Sequence, residues 1–481
     1  MNRQIVHLMG VVVALFALLV VFTSRWAVFE AESLEHESAN RRPLIEQAQI
    51  PRGIITAADG TVLARNRRRG SGSSRLFTRV YPQRDLMAHA LGYSFIDRGN
   101  AGIEREYDDE LAGREDEFTT IVDELTGGTD AGNDVRLTLD PAAQRAAIAA
   151  LGDRKGAVVA LEPDTGRVRV MASVPQYDPN EIPSRFSQLA TDNANSPLLN
   201  RATQSTYPPG SAFKVVTAAA ALDTGKFTPD SIVDGSSPQR ISGVPLSNCC
   251  TEGSGDFGPI PLAVALQRSV NTAFANVAVE LGQDTLVEYM KRFGFYEDPP
   301  LDYPDAQMAP SGIFNGDGDL VEDGFDVGRA AIGQGGAEGQ TRATVLQMAL
   351  VAAAIGNGGV MMEPRLVERI VSPDGRVRER FRPRRLRRVV KEETARQLAA
   401  MMRGVVQSGT AAGTGLDAFD AAGKTGTAEV QGGAANQAWF IAFAPAEDPK
   451  VAIAVTVERT QGQGASVAAP IARQVLAEIL G

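Results

Sequence analysis

Ile5 to Phe22 is a run of 18 residues, apolar apart from His7 and Gly10. Its length approaches what a helix needs to cross a bilayer, and in hydrocarbon an isolated segment satisfies its own backbone only as a helix. A cleaved signal peptide is the rival reading, but its apolar region is usually shorter. The residues that follow, Thr23-Ser24-Arg25-Trp26, carry no small-x-small cleavage pattern. A buried core helix fits the extreme N-terminal position poorly. The expectation is one uncleaved transmembrane anchor within residues 1–25. Arg3 and Arg25 flank it on opposite sides and do not settle its orientation. A short N-terminus left in the cytoplasm is the simplest arrangement, and it puts the rest of the chain on the outer face.

That remainder is too long for a single core, so at least two further domains are expected. The 58 acidic residues outnumber 48 basic ones, a formal charge of -10. Nucleic acid is therefore excluded as the main partner, because phosphate binding needs a basic face. Histidine is scarcer still: only His7, His36 and His89 occur. Chemistry located beyond residue 89 has no Ser-His-Asp triad and no histidine-based zinc site available to it. No metal and no cofactor is expected. A serine nucleophile there needs another base, and lysine is the obvious one. Seven of the 48 basic residues are lysine, Lys214 and Lys424 among them. A buried lysine can lose its proton, whereas arginine stays charged. Cys249 and Cys250 are adjacent, too few for a disulfide framework and too close for ordinary disulfide geometry. They read as loop residues.

Arg25 to Asn40 reads as a helical stalk or linker. Asp59-Gly60 between β-prone runs predicts a hairpin, and residues 67–75, rich in Arg, Gly and Ser, a loop. A short helix is expected after Tyr81-Pro82 and another before Gly113. Val135 to Leu139 alternates as a strand, and Asp140-Pro141 then opens a helix. The boundary between an N-terminal domain, 26–150, and a larger domain, 151–481, is placed near residues 140–155. In the larger domain Gly156 to Ser173 is a hairpin about Pro163-Asp-Thr-Gly166. Helices are expected from Ser211 to Leu222, from Leu262 to Leu281 with a break at Ser269-Val-Asn271, from Thr341 to Ile355, from Lys391 to Val406 and from Ala468 to Leu480. Two strands, Ala438 to Ala444 and Val451 to Glu458, precede the last helix. Arg376 to Arg388 holds eight arginines and reads as a solvated hairpin, with a contact to anionic lipid or wall polymer as the sharper alternative.

Three short strings carry chemistry. In Ser211-Ala-Phe-Lys214 the hydroxyl and amine are i and i+3, on one helix face. A lysine whose pKa is lowered in an apolar, cation-bearing site can take the serine proton, and the helix start offers backbone N–H groups to an oxyanion. Alone, the string is equally a capped helix with a solvated lysine. Ser269-Val-Asn271 suits a turn that points two polar groups into a cleft. Ser269 would relay a proton to a leaving amine and Asn271 would hold Lys214 and a substrate amide; an ordinary N-cap is the plain reading. Lys424-Thr425-Gly426-Thr427 reads as an edge strand whose glycine admits a ligand to the backbone. Lys424, Thr425 and Thr427 would offer a cation and two hydroxyls to a carboxylate, with the Thr427 and Ser211 N–H groups as oxyanion donors. A surface turn is its plain reading. The three strings in this order are what makes coincidence improbable.

Serine-x-x-lysine, serine-x-asparagine and lysine-threonine-glycine in this order are the signature of penicillin-binding proteins and class A β-lactamases. The chain resembles the class B, monofunctional penicillin-binding transpeptidases over nearly its whole length. The resemblance rests on Tyr207-Pro-Pro-Gly-Ser211-Ala-Phe-Lys214, Gly333-Gln-Gly335, Asn357-Gly-Gly359 and Ala422-Gly-Lys-Thr-Gly-Thr-Ala428, and on Arg52-Gly-Ile54, Asp59-Gly-Thr-Val-Leu-Ala64 and Gly102-Ile-Glu104 in the N-terminal part. Arg79-Val-Tyr-Pro82 and Ala438-Trp-Phe-Ile-Ala-Phe-Ala-Pro445 look most like the actinobacterial penicillin-binding protein A group. Val270 departs from the cysteine, serine or aspartate of many relatives, but only as a spacer.

The resemblance implies a multidomain α+β fold. A serine β-lactamase-like transpeptidase domain, an antiparallel sheet flanked by helices, would follow the anchor and a small α+β pedestal or dimerisation-like domain. It implies a peptidoglycan D,D-transpeptidase in which Ser211 attacks the D-Ala-D-Ala stem peptide and passes the acyl group to an amine of a neighbouring strand. β-Lactams would acylate the same serine. Lipid-linked precursor, the membrane, a polymerising glycosyltransferase and division or elongation proteins are the partners implied. A D,D-carboxypeptidase or serine β-lactamase shares the trio, though no residue stands out as a deacylating base. A non-catalytic β-lactam sensor usually adds several transmembrane helices.

Overall fold

The computed structural model describes residues 2–24, 48–71, 75–114, 131–248, 255–336, 338–429 and 435–481. The chain forms two compact units, Met1–Pro51 with Arg67–Thr78, and Arg52–Asn66 with Arg79–Gly481. The expected stalk from Arg25 to Asn40, and Cys249 and Cys250, lie outside the described residues.

In the first unit Asn2–Ser24 is a helix of 23 residues. Its side chains are described at residues 3 and 7–19, and among the described residues no helix is long and apolar enough to cross a membrane. The same unit holds the outer ends of the strands Val62–Arg69 and Leu76–Val80. A loop was expected from residue 67, but the strand runs on through Arg69 with its arginines facing solvent.

The core of the second unit is a five-stranded antiparallel sheet in the order Ala422–Glu429, Asn436–Ala444, Val451–Thr460, Gly156–Leu161 and Val168–Val174. Gly156–Leu161 and the first seven residues of Val451–Thr460 are buried throughout, as expected of strands covered on both faces. Val345–Gly356 packs on one face, and Pro141–Leu151 with Ala469–Leu480 on the other. Asp140 caps Pro141–Leu151 by accepting from the N–H groups of Ala142 and Ala143. Val345–Gly356 starts later than the apolar pattern suggested. Gly339–Arg342 is a strand, and the Thr344 hydroxyl caps the helix by accepting from the Gln347 N–H.

Strands drawn from distant parts of the chain build a second, six-stranded sheet: Val377–Arg380, Val367–Val371, Asp134–Leu137, Ile55–Thr56, Val62–Arg69 and Leu76–Val80. Strands from either side of the boundary placed near 140–155 thus share one sheet. The arginine-rich segment is not a hairpin on itself. Val377–Arg380 pairs with Val367–Val371, whereas Arg385–Arg388 pairs with Val360–Met362 in a separate ribbon. The two arms part at Phe381, which is buried beneath the Arg365 guanidinium, 5.1 Å from its ring centre.

Candidate active site

Ser211 lies in a 3₁₀ turn, Gly210–Phe213, that leads into the helix Lys214–Asp223. The helix was expected to open at Ser211; the tighter turn comes first. N–H groups in a first turn have no intrahelical partner, so this is where a backbone donor for an oxyanion can be found. All ten residues of the helix are buried, Lys214 among them. Helices Asn271–Leu281, Gln283–Arg292 and Glu392–Ser408 surround it.

The segment before Ser211 is tied to the sheet. The Trp439 indole N–H donates to the Pro208 carbonyl at 2.9 Å, and the Tyr207 hydroxyl to Glu458 at 2.6 Å. Gly210 runs over Thr427 and below Gly333. A Cβ on Gly210 would stand 2.6 Å from the Thr427 oxygen, and one on Gly333, where φ is 71°, only 2.1 Å from the Gly210 oxygen. A Cβ on Gly426 would meet the Pro209 oxygen at 2.5 Å, and one on Gly464 the Trp439 oxygen at 2.2 Å. Four backbones are pressed together here with no room for a side chain.

Ser269 ends the helix Leu262–Arg268 in the left-handed conformation, φ 61° and ψ 39°, and Asn271 begins the next helix. Glycine usually takes such a position. A serine held there keeps a hydroxyl where a glycine would have none, the kind of strain found at working sites. The Lys214 ammonium nitrogen lies 2.7 Å from Asn271 Oδ1, 2.6 Å from the Ser269 carbonyl and 3.3 Å from Ser269 Oγ. Lys424 Nζ reaches the same Oγ at 2.9 Å and the Thr425 carbonyl at 3.1 Å. Two lysines from opposite sides of the cleft therefore converge on one hydroxyl.

Ala422–Glu429, which carries Lys424, is an edge strand of the five-stranded sheet, as expected. Lys424 meets the cleft through Ser269, a lining residue whose Oγ its Nζ reaches. It is fully buried, and burial lowers its pKa from 10.5 to about 7. The sequence suggested Lys424 as a cation offered to a carboxylate; in the structure its Nζ is bonded to Ser269 Oγ and the Thr425 carbonyl. Ser211, Ser269, Asn271, Thr425, Gly426 and Thr427 line the cleft. Arg268, Thr410, Gln463 and Ala465 complete the lining, and none of these was singled out from the sequence. The Thr410 and Thr425 hydroxyl oxygens are 2.6 Å apart, and the Gly464 N–H donates to Thr427 Oγ1 at 3.1 Å. Among the described residues no group of acidic, histidine and cysteine side chains could hold a metal.

A cleft that brings Ser211 and Ser269 together with the edge strand Ala422–Glu429, two lysines converging on Ser269, is the arrangement expected of a penicillin-binding transpeptidase, and the chain's relatives are of that class. The penicillin binding protein transpeptidase domain model matches residues 156–477, and the penicillin binding protein A dimerisation domain model matches residues 52–135. The chain belongs to the penicillin-binding protein transpeptidase family. It is 35% identical to the peptidoglycan D,D-transpeptidase PbpA of Mycolicibacterium smegmatis over all of this chain and 99% of that one. It is 34% identical to PbpA of Mycobacterium tuberculosis over 99% and 98% of the two chains. A structure of penicillin-binding protein A from M. tuberculosis, a ceftriaxone acyl-enzyme complex, superposes with a TM-score of 0.80 at 33% identity, covering 91% of this chain and 100% of that one.

Proposed function

We propose that this chain is a peptidoglycan D,D-transpeptidase with Ser211 as its nucleophile. The observation that carries the reading is the Ser269 hydroxyl, held within hydrogen-bond reach of both Lys214 and Lys424 beside Ser211. Lys214 in its neutral form takes the Ser211 proton as Oγ attacks the penultimate D-alanine carbonyl. The N–H groups of Ser211 and Thr427 stabilise the oxyanion. As the intermediate collapses, the C–N bond breaks and Ser269 passes a proton from the lysine pair to the leaving D-alanine amine. An amine of a neighbouring strand then attacks the acyl-enzyme, Ser211 regains its proton and the cross-link forms. Asn271 holds Lys214, and Thr425, Gly426 and Thr427 bind the substrate along the edge strand. β-Lactams acylate the same serine.

The helix Asn2–Ser24 is the membrane anchor in this reading. The apolar run from Ile5 to Phe22 in the sequence supports this reading. Its large apolar side chains from Leu8 to Leu19 are each 46–67% exposed among the described residues. The short N-terminus is cytoplasmic, and the domains 26–150 and 151–481 lie on the outer face. The family resemblance supports a polymerising glycosyltransferase and a division or elongation complex as company.

Intact-mass spectrometry of the full chain in detergent, with and without benzylpenicillin, tests the reading. One adduct mapping to Ser211 is expected, and Ser211→Ala is expected to lose it while keeping the wild-type melting temperature. An adduct on another residue would sink the assignment.

A further inference from the structure

Away from the cleft, the six-stranded sheet sets arginines side by side. Val135 and Leu137 of Asp134–Leu137 are buried, as are Val367 and Ile370 of Val367–Val371. Arg136 and Arg369 therefore stand on the face turned away from the core. The strand register places Arg369 directly opposite Arg136 on one side and Arg380 on the other. Three arginines form one row across three adjacent strands, and Thr56 continues it beyond Arg136. Like charges directly opposite each other destabilise a sheet.

Among the described residues the nearby acids do not offset the row. Glu368, next to Arg369 in the chain, lies 3.1 Å from Arg136 and 3.7 Å from Arg167. Glu162 lies 3.7 Å from Arg167 but also accepts from Arg169 at 2.9 Å. Asp134, two residues along from Arg136, accepts from the Ile54 N–H at 2.7 Å. Among the described residues no carboxylate forms an ion pair with Arg369 or Arg380. The Nε donors of Arg136, Arg167 and Arg369 are shut off from solvent and carry no hydrogen bond. The side chains of Arg136 and Arg167 nevertheless stay 32% and 36% exposed. Their stems lie along the protein while their guanidinium tips are open.

We infer that this row is a binding site for a phosphate group, held between Arg136 and Arg369 with Arg380 on its outer side. A guanidinium presents a fork of donors that matches phosphate oxygens. A tetrahedral phosphate has an oxygen for each of three arginines, whereas a carboxylate has two oxygens in all. Charge on an edge strand also deters pairing with another sheet. That role concerns Arg380 alone; Arg369 and Arg136 lie one and two strands further in. The site shares no residue with the cleft and goes beyond the acyl-transfer reading.

Lipid headgroups and free phosphate share this chemistry, and two probes separate them: inorganic phosphate, and glycerophosphoglycerol, the headgroup diester of phosphatidylglycerol without its tails. Isothermal titration of the full chain in uncharged detergent is expected to show binding of at least one probe above a chloride control of equal ionic strength. Tighter binding of glycerophosphoglycerol assigns the site to lipid, and tighter binding of phosphate to a free ion. Arg369→Gln and Arg380→Gln are each expected to weaken binding roughly tenfold, the worth of a charge-assisted hydrogen bond. In chloride alone Arg369→Gln should melt at or above the wild type, because a repulsion is gone. With the probe added the wild type should gain more in melting temperature than either variant. Binding no stronger than that of chloride, or binding unchanged in both variants, would overturn the inference. Ser211 labelling by benzylpenicillin is expected to be the same in wild type and variants, so neither result touches the acyl-transfer reading.

Discussion

Lys424 is a fully buried amine whose pKa falls from 10.5 to about 7 because burial disfavours its charge. The consequence for stability has a definite sign. Between about pH 7 and about 10.5 the unfolded chain holds a proton that the folded chain has released, so this residue makes stability rise with pH across that window. Below it both states are protonated, and the penalty for burying a cation is present in full. Lys424→Met removes the penalty. The variant is expected to melt above the wild type by the widest margin at about pH 6, and the margin should narrow toward about pH 10. Differential scanning fluorimetry across that range is the check, and a margin that does not change with pH would show the amine to be effectively solvated.

The helix that follows Ser211 is pinned at its far end by a residue that an isolated helix would reject. Asp223 closes Lys214–Asp223, where the helix field disfavours a carboxylate. It is only 5% exposed. Burial alone would raise its pKa, but the Lys391 N–H at 2.7 Å and the hydroxyls of Tyr289 and Thr394, each at 2.8 Å, outweigh it and hold the carboxyl below its usual value. Two of these donors belong to the start of Glu392–Ser408, so Asp223 caps that helix from another element. Asp223→Ala is expected to cost about 2–4 kcal/mol, read from chemical denaturation, and to slow acylation. A cost under about 1 kcal/mol would mean that the helix has another cap. The sequence pattern could not reveal this contact. Local signals were readable: the Asp140 cap, the hairpin Gly156–Val174 and the break at Ser269 each depend on neighbours within a few residues. Thr410 depends on partners far away in the chain, and nothing local marks Arg268 or Gln463 as lining the cleft. Thr410 is an ordinary threonine after a helix until its hydroxyl meets Thr425 of the edge strand.

At the scale of the molecule, the two catalytic-family segments are not laid end to end. The six-stranded sheet takes strands from residues 55–80 and 134–137 and completes itself with 367–371 and 377–380. Sequence reading placed a boundary between regions that the fold interleaves, because strand pairing across more than two hundred residues leaves no local trace. Within the 52–137 part the organising group is Glu104, wholly buried and held by Arg79 Nε at 2.5 Å, Arg52 Nε at 3.1 Å and the Tyr81 hydroxyl at 3.2 Å. Arg79 also donates to the Gly53 carbonyl, and Arg52 to Asp108. These pairings, opposing the burial that would raise it, keep the Glu104 carboxyl below its usual pKa. Glu104→Gln leaves two arginines short of a counter-charge and is expected to cost about 3–5 kcal/mol. A denaturation midpoint matching that of the wild type would show that Asp108 and the backbone carbonyls suffice.

The four glycines under the cleft have one more consequence. Gly210, Gly333, Gly426 and Gly464 bring backbone against backbone, so no larger residue fits at any of them without displacing its neighbour. A lineage under antibiotic pressure cannot remodel that floor by substitution and keep the site. Heritable escape from β-lactams by change within the cleft is therefore channelled to its rim, to Arg268, Gln463 and Ala465, where a side chain can change size or charge without moving the serine.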